Sequence, residues 1–165
     1  YSIFQEKKTE TISLLESELQ NSQASAYTDL SNEMKAYMDY ICDTLLTKDT
    51  GILMSDQIDK NDATYKSNTA YGVLIQGYGT CNGYADAMAI FLDKLNIINY
   101  KISNDEHIWN LVYLDGKWYH LDLTWDDPIS ETNINRDTYF LITTKTLEEL
   151  NDGTHNFDKK IYSEA

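Results

Sequence analysis

The chain of 165 residues contains a single proline and two cysteines, Cys42 and Cys81. Two cysteines do not form the disulfide framework of small secreted domains, although one bond between them is an open alternative. Basic residues are also scarce, since 13 lysines and arginines stand against 27 acidic residues, giving a formal net charge of −14. Because such a chain repels phosphate groups, nucleic acid is not expected as a partner.

Long apolar runs are absent as well. No run approaches the roughly 20 residues that a membrane-spanning helix needs, and no segment resembles a signal peptide, so this sequence is not expected to insert into a membrane. An apolar content of 42% and 13 tyrosines indicate a folded globular protein. We expect one domain, with a helical part and connecting loop over 1–68, a core over 69–145 and a polar tail over 146–165.

Apolar residues recur at helical spacing in three segments. They predict helices over about the first twenty residues, over about 29–47 and over about 81–95. Cys42 shares the apolar face of the second helix with Met34, Met38 and Ile41, which favours a buried thiol. Thr80 is the expected N-cap of the third helix.

Alternating apolar residues after the third helix predict strands. The segments are "NIINYKIS", "HIWNLVYL", "KWYHLDLTW" and "TYFLIT". Asp115-Gly116 joins the second and third of these as a two-residue hairpin turn. Helices followed by antiparallel strands predict an α+β fold.

Cys81 lies in the first turn of the third predicted helix. The positive end of the helix dipole lowers the pKa of a thiol placed there. Gly77, Gly79 and Gly83 flank the cysteine and are expected to leave room for the backbone of a substrate. These features alone leave open whether Cys81 is a nucleophile or a small core residue.

The register of the predicted hairpin brings a second group of residues together. It places Trp109 opposite Asp122 and His107 opposite Thr124, with all four side chains on one face. Asp122 is then the diagonal neighbour of His107, at about 7–8 Å between backbones, close enough for the carboxylate to reach the imidazole.

These residues match the needs of a thiol nucleophile. A thiolate requires an imidazole as its ion-pair partner and proton donor, and the imidazole requires a third group that fixes its orientation. We assign these roles to Cys81, His107 and Asp122. His120 lies on the same hairpin and is the rival for the role of His107. His155, in the polar tail, is interpreted as a solvated bystander.

Two segments together carry a resemblance to a known family. The segments "AYGVLIQGYGTCNGYADAMAIFLDKLNI" and "HIWNLVYLDGKWYHLDLTWDDP" resemble the bacterial transglutaminase-like superfamily, whose members are relatives of papain-like cysteine proteases. The resemblance covers about residues 70–142 and implies a papain/transglutaminase-like core in which a nucleophile helix packs on an antiparallel sheet. The family's catalytic cysteine, histidine and aspartate fall on Cys81, His107 and Asp122.

The resemblance implies thiol-dependent acyl transfer on protein or peptide amides, as a protease, deamidase or transglutaminase. A non-catalytic binding or scaffolding module that retains the fold is the alternative. Related domains occur in bacterial secreted or cell-surface proteins, which implies an export signal or anchor upstream of Tyr1.

The oxyanion hole has several candidate donors. The amide of Cys81 at the helix start is one. Papain-like enzymes supply a glutamine six residues before the cysteine, whereas Gln76 lies five residues before it, and Tyr71 is the other candidate. Trp109 and Trp125 are interpreted as hairpin packing, with a cleft wall as the alternative.

Metal sites are the last alternative. Zinc would accept Cys81, His107, His120 and Asp122, but the chain has no closely spaced ligand pair. The segment "DKND" is typical of a calcium loop, yet Ala63 and Thr64 occupy the places of the next ligand and the glycine. We therefore expect no metal and no cofactor.

Overall fold

The computed structural model describes residue 17 and residues 26–43, 65–127 and 137–165. The chain divides into two compact units, residues 1–33 and 34–165. In the first unit, residue 17 and residues 26–33 are helical. The rest of the predicted N-terminal helix and the "DKND" segment lie outside the described residues.

The second unit begins with helical residues 34–43, named α1. Its apolar face is buried as predicted, and Cys42 lies on that face with no disulfide bond to Cys81. A π-helical turn at Gly72–Gln76 leads into α2, Cys81–Lys94, which matches the predicted helix. Two short helices follow later, α3 at Leu123–Asp126 and α4 at Thr144–Leu150.

Three antiparallel strands form the sheet. They are β1 at Ile98–Ser103, β2 at Ile108–Leu114 and β3 at Lys117–Leu121, in the order β1-β2-β3. Leu114 pairs with Lys117 and Asn110 with Leu121, which confirms the predicted hairpin register. Both turn residues have positive φ, 50° at Asp115 and 76° at Gly116, as a tight hairpin turn of this kind requires. Helices with an antiparallel sheet confirm the α+β class.

The two faces of the sheet carry different layers. On one face the side-chain carboxamide of Asn110 donates a hydrogen bond of 3.0 Å to the Ala85 carbonyl, which ties β2 to α2. On the other face a buried cluster joins the sheet to the C-terminal residues; its members are Ile102, Trp109, Leu111, Tyr139 and Leu147. The end of the hairpin away from its turn therefore lies between α2 and the C-terminal segment.

The strand predicted to reach Trp125 ends earlier, at Leu121. Asp122 is the N-cap of α3, and its carboxylate accepts hydrogen bonds from the amides of Thr124 and Trp125 at 2.8 and 3.2 Å. These amides would have to face a neighbouring strand if β3 continued, so the side chain of Asp122 ends the strand. The predicted pairing of His107 with Thr124 is therefore wrong, although Asp122 still reaches His107.

One other prediction about local structure is wrong. "TYFLIT" forms turns with one isolated bridge between His120 and Ile142, because Leu141 adopts a positive φ of 52° that interrupts an extended strand. Thr80 is the N-cap of α2, as predicted, although its hydroxyl makes no hydrogen bond with the first turn of the helix. The hydroxyl instead donates to the Ser67 carbonyl at 3.4 Å.

Residues 146–165 differ from the predicted polar tail. Leu147 and His155 are buried, and Phe157 and Tyr162 pack against the cluster on the sheet. The Tyr162 hydroxyl also accepts a hydrogen bond of 3.1 Å from the Ser103 amide in β1. The C-terminal segment therefore forms part of the layer over the sheet.

Within the described part of the chain, no helix is both long and apolar enough to cross a membrane.

Candidate active site

Cys81 begins α2 with its side chain partly exposed. Its thiol forms a hydrogen bond with His107, and the amides of Ile108 and Asn82 also donate to the sulfur. The bond with His107 contributes most, and together these donors lower the pKa of the thiol against the opposing effect of burial. The position thus favours a thiolate.

His107 lies in the loop just before β2. The Asn104 carboxamide oxygen accepts a hydrogen bond of 2.8 Å from the His107 amide, which fixes the backbone of this loop. The Nε2 of the ring contacts the Asp122 carboxylate, which leaves Nδ1 for the Cys81 sulfur. Burial favours the neutral imidazole, but hydrogen bonds with Asp122 and Cys81 outweigh it and raise the pKa of His107 to about 9. The stable form at neutral pH is the imidazolium.

Asp122 is buried and completes the group. One carboxylate oxygen accepts from the two α3 amides, while the other faces the His107 ring. Burial raises the pKa of this carboxyl, but bonds from His107 and His155 outweigh burial and lower it. The structure therefore brings the three predicted residues into one hydrogen-bonded series, from Cys81 through His107 to Asp122.

His120 does not compete for the role of the base. Its Nδ1 accepts a hydrogen bond of 3.0 Å from the Trp109 indole, and its Nε2 lies 3.0 Å from the Thr144 hydroxyl. Since Nδ1 accepts, Nε2 carries the proton of the neutral ring and donates a hydrogen bond to the Thr144 hydroxyl. Burial lowers the pKa of His120 to about 4, which keeps the ring neutral. His120 links β3 to Trp109 and α4.

The interpretation of His155 as a solvated bystander is wrong, because its side chain is only 2% exposed. Its Nε2 lies 2.7 Å from the same Asp122 oxygen that His107 contacts, and its Nδ1 lies 2.7 Å from Asp152. Tyr139 stacks on the ring at 4.8 Å between centroids.

One signal in the sequence pointed to this arrangement. In "DGTH" an aspartate precedes a histidine by three residues with a glycine between them. The Asp152 carboxylate accepts from the amides of Thr154 and His155 at 2.8 and 3.1 Å, a turn in which the aspartate and the histidine ring meet.

The four residues considered above as an alternative zinc site do not form one group, because both ring nitrogens of His120 bond elsewhere. A different set, His107, Asp122 and His155, offers three ligand atoms within 4.8 Å of one another. Two imidazoles and a carboxylate suit zinc or ferrous iron. A metal on these atoms would displace the proton between His107 and Asp122, and would therefore compete with the role of His107 as an acid.

The space beside Gly79 and Gly83 is filled, whereas the sequence predicted open space near Cys81. A Cβ at Gly83 would lie 2.2 Å from the Ser67 carbonyl oxygen, and a Cβ at Gly79 would lie 3.0 Å from the Tyr84 ring. The chain itself occupies these approaches, so both glycines serve packing around the start of α2.

Four predicted residues remain to be described. Tyr71 is 52% exposed, and the Lys66 ammonium lies 5.3 Å from the centre of its ring. Gln76 is half-buried at the end of the π-helical turn. Both stay predictions as oxyanion donors. Trp109 is buried in the cluster, whereas Trp125 is 37% exposed and its edge contacts His107 at 6.5 Å between centroids.

No protein-family model matches the chain, and no curated protein matches it.

Proposed function

We propose that the protein transfers acyl groups from protein or peptide amides through a thioester on Cys81, on a papain/transglutaminase-like core. The observation that carries the proposal is the series of hydrogen bonds from Cys81 to His107 and from His107 to Asp122. The thiol pKa is lowered and the imidazole pKa is raised to about 9, and both shifts favour the thiolate–imidazolium pair. This pair is the reactive state of a cysteine acyl transferase.

The first half of the reaction forms the thioester. The Cys81 thiolate attacks the carbonyl carbon of the amide, and the carbonyl oxygen becomes an oxyanion. The Cys81 amide at the start of α2 is one donor for this oxygen, with Tyr71 and Gln76 as candidates for a second. When the carbon–nitrogen bond breaks, His107 gives its proton to the departing amine.

The second half releases the acyl group. Water or an amine attacks the thioester carbonyl while neutral His107 accepts its proton, and the carbon–sulfur bond breaks to regenerate the thiolate. The proton stays on His107, which restores the starting pair. Asp122 holds the ring and its charge throughout. Water as acceptor gives a protease or deamidase, and a lysine amine gives a crosslinking transglutaminase.

A protein or peptide substrate and a bacterial secreted or cell-surface location belong to the same proposal. Both rest on the resemblance of residues 70–142 to transglutaminase-like domains.

Selective alkylation tests whether Cys81 is activated. Native protein is treated with limiting iodoacetamide at pH 7, with and without a chelator, and the labelled cysteine is identified by mass spectrometry. We expect rapid labelling of Cys81 and slow labelling of Cys42, which lies buried on α1. Cys42→Ala is the matched control and should leave the fast phase unchanged.

Equal labelling rates for the two cysteines in the folded protein would contradict the proposal and favour a binding module. The acceptor is then identified by incubating the protein with a library of glutamine-containing peptides, with and without a primary amine. Mass shifts for hydrolysis, deamidation and amine incorporation distinguish the three outcomes.

A further inference from the structure

The series of hydrogen bonds continues beyond the three residues of the proposed mechanism. The Asp122 oxygen that contacts His107 also contacts His155, whose other nitrogen contacts Asp152. We propose that His155 and Asp152 are positioning residues, which hold the Asp122 carboxylate in place and divide its negative charge between two imidazoles. The inference rests on the proposed function for its effect on turnover, whereas the coupling between the two rings can be measured without turnover.

The bonding pattern assigns a charge to His155. Each of its ring nitrogens lies 2.7 Å from a carboxylate oxygen, one in Asp122 and one in Asp152. A carboxylate accepts and does not donate, so each nitrogen must carry a proton and the ring is an imidazolium.

Asp152 is suited to hold this cation. Burial raises the pKa of its carboxyl, but bonds from the amides of Thr154 and His155, from the His155 ring and from Tyr139 outweigh burial and lower it. The Tyr139 hydroxyl donates its bond at 3.0 Å. The carboxylate is therefore ionised and fixed on the turn that carries His155.

Charges alternate along the whole series. Asp152 is negative, His155 positive, Asp122 negative, His107 positive and the Cys81 thiolate negative. The rings of His107 and His155 lie 5.2 Å apart between centroids, and both contact one oxygen. Since like charges so close in a buried site oppose each other, His155 weakens the hold of Asp122 on the proton of His107.

Aromatic rings fix the position of His155. Tyr139 stacks on it, and the edges of Trp109 and Trp125 contact it at 4.9 and 5.2 Å between centroids. The other ionisable groups that face this region are His120 on β3, Asp126 on α3 and Glu148 on α4. Aromatic contacts therefore add to the two carboxylate contacts that hold the ring.

The decisive variant is His155→Gln, which removes the positive charge and keeps a hydrogen-bond donor. With a chelator present to keep metal ions off His107, Asp122 and His155, protonation of His107 is followed by NMR of the imidazole ring across pH 5–11, and Cys81 alkylation is followed over the same range. We expect the pH at which His107 loses its proton to rise by about half a unit or more, because Asp122 is then shared with no second cation. Turnover with a peptide amide should fall about tenfold in kcat with KM little changed, because Asp122 is less well held.

Asp122→Asn is the opposite control, since loss of the carboxylate charge should lower the pH at which His107 loses its proton. Asp152→Asn should also raise the pH at which His107 loses its proton. This variant replaces His155→Gln in the test if His155→Gln does not fold. If His155 has only a structural role, His155→Gln should lower the melting temperature without changing the pH at which His107 loses its proton. That result would overturn the inference. If wild-type Cys81 proves unreactive while His155→Gln still raises the His107 titration, the proposed function fails and the coupling stands.

Discussion

At the scale of single residues, the roles within the proposed site can be separated by substitution. Cys81→Ala removes the nucleophile and should abolish thioester formation, and His107→Ala should do nearly the same. Asp122→Asn should lower kcat by about 10²–10⁴-fold, because the amide no longer favours the imidazolium. Rates with a peptide amide, and the acyl-enzyme seen by mass spectrometry, measure these effects.

His120 provides the contrast to that series. Its nitrogens bond to Trp109 and Thr144, so His120→Gln should lower the melting temperature by a few degrees and change kcat less than tenfold. A loss of activity as large as that of His107→Ala would show that the base is assigned to the wrong histidine.

Asp126 is a residue whose replacement should stabilise the protein rather than destabilise it. It is fully buried, and burial is the largest cause that raises the pKa of its carboxyl to about 7. Because the folded pKa exceeds the unfolded value of about 3.9, the carboxyl favours folding when protonated, and this contribution is lost as pH rises from about 4 to about 7.

Asp126→Asn should therefore stabilise the protein at pH 8, by on the order of 1–3 kcal/mol. The asparagine oxygen can still accept the bond that the Tyr139 amide now donates at 2.9 Å. The gain should shrink at pH 4, where the native carboxyl is protonated. Urea unfolding of both proteins at the two pH values measures this difference in the free energy of unfolding. A variant less stable than the wild type at pH 8 would contradict the argument.

At the scale of the structural elements, two glycines form a matched pair. Gly116 in the hairpin turn and Gly153 in the turn before His155 have φ values of 76° and 78°, and no atom lies near the place of an added Cβ at either. Alanine in either position should cost about 1 kcal/mol of stability through backbone strain. Denaturant unfolding should give similar losses for the two variants.

Their effects on the site should differ. Gly116 lies at the far end of the hairpin, so Gly116→Ala should leave the reactivity of Cys81 unchanged. Gly153→Ala strains the turn that presents Asp152 and His155, and it should shift the titration of His107 as His155→Gln does. Equal effects of the two on the site would argue against a specific role for the second turn.

The elements also show what the sequence could predict. The start of α2 and the register of the hairpin depend on local patterns, an apolar stripe in one and Asp115-Gly116 in the other, and both were predicted. The end of β3 was not, because the Asp122 side chain competes with the strand for backbone amides. His155 was missed because its burial depends on Tyr139 and Trp109, which are distant in sequence, whereas its own neighbours are polar.

At the scale of the whole molecule, the ionisation of the site should define a pH range for activity. Acyl transfer needs the Cys81 thiolate, whose pKa is lowered, and the His107 imidazolium, whose pKa is about 9. The rate should rise with pH as the thiol ionises and fall above about pH 9, when His107 has no proton for the departing amine. The pH profile of kcat/KM measures both limbs, and a rate that keeps rising beyond pH 10 would contradict the role of His107 as an acid.

The contact of His155 with Asp122 also has a consequence for biosynthesis. The ribosome completes Cys81, His107 and Asp122 well before it reaches Asp152 and His155, so a growing chain carries the three residues of the proposed mechanism without the second histidine that contacts Asp122. Because a domain generally folds as a unit, the site reaches its final arrangement only after the segment beyond α4 has emerged and packed on the sheet. A chain stalled before Asp152 should accordingly display a Cys81 whose reactivity differs from that of the finished protein.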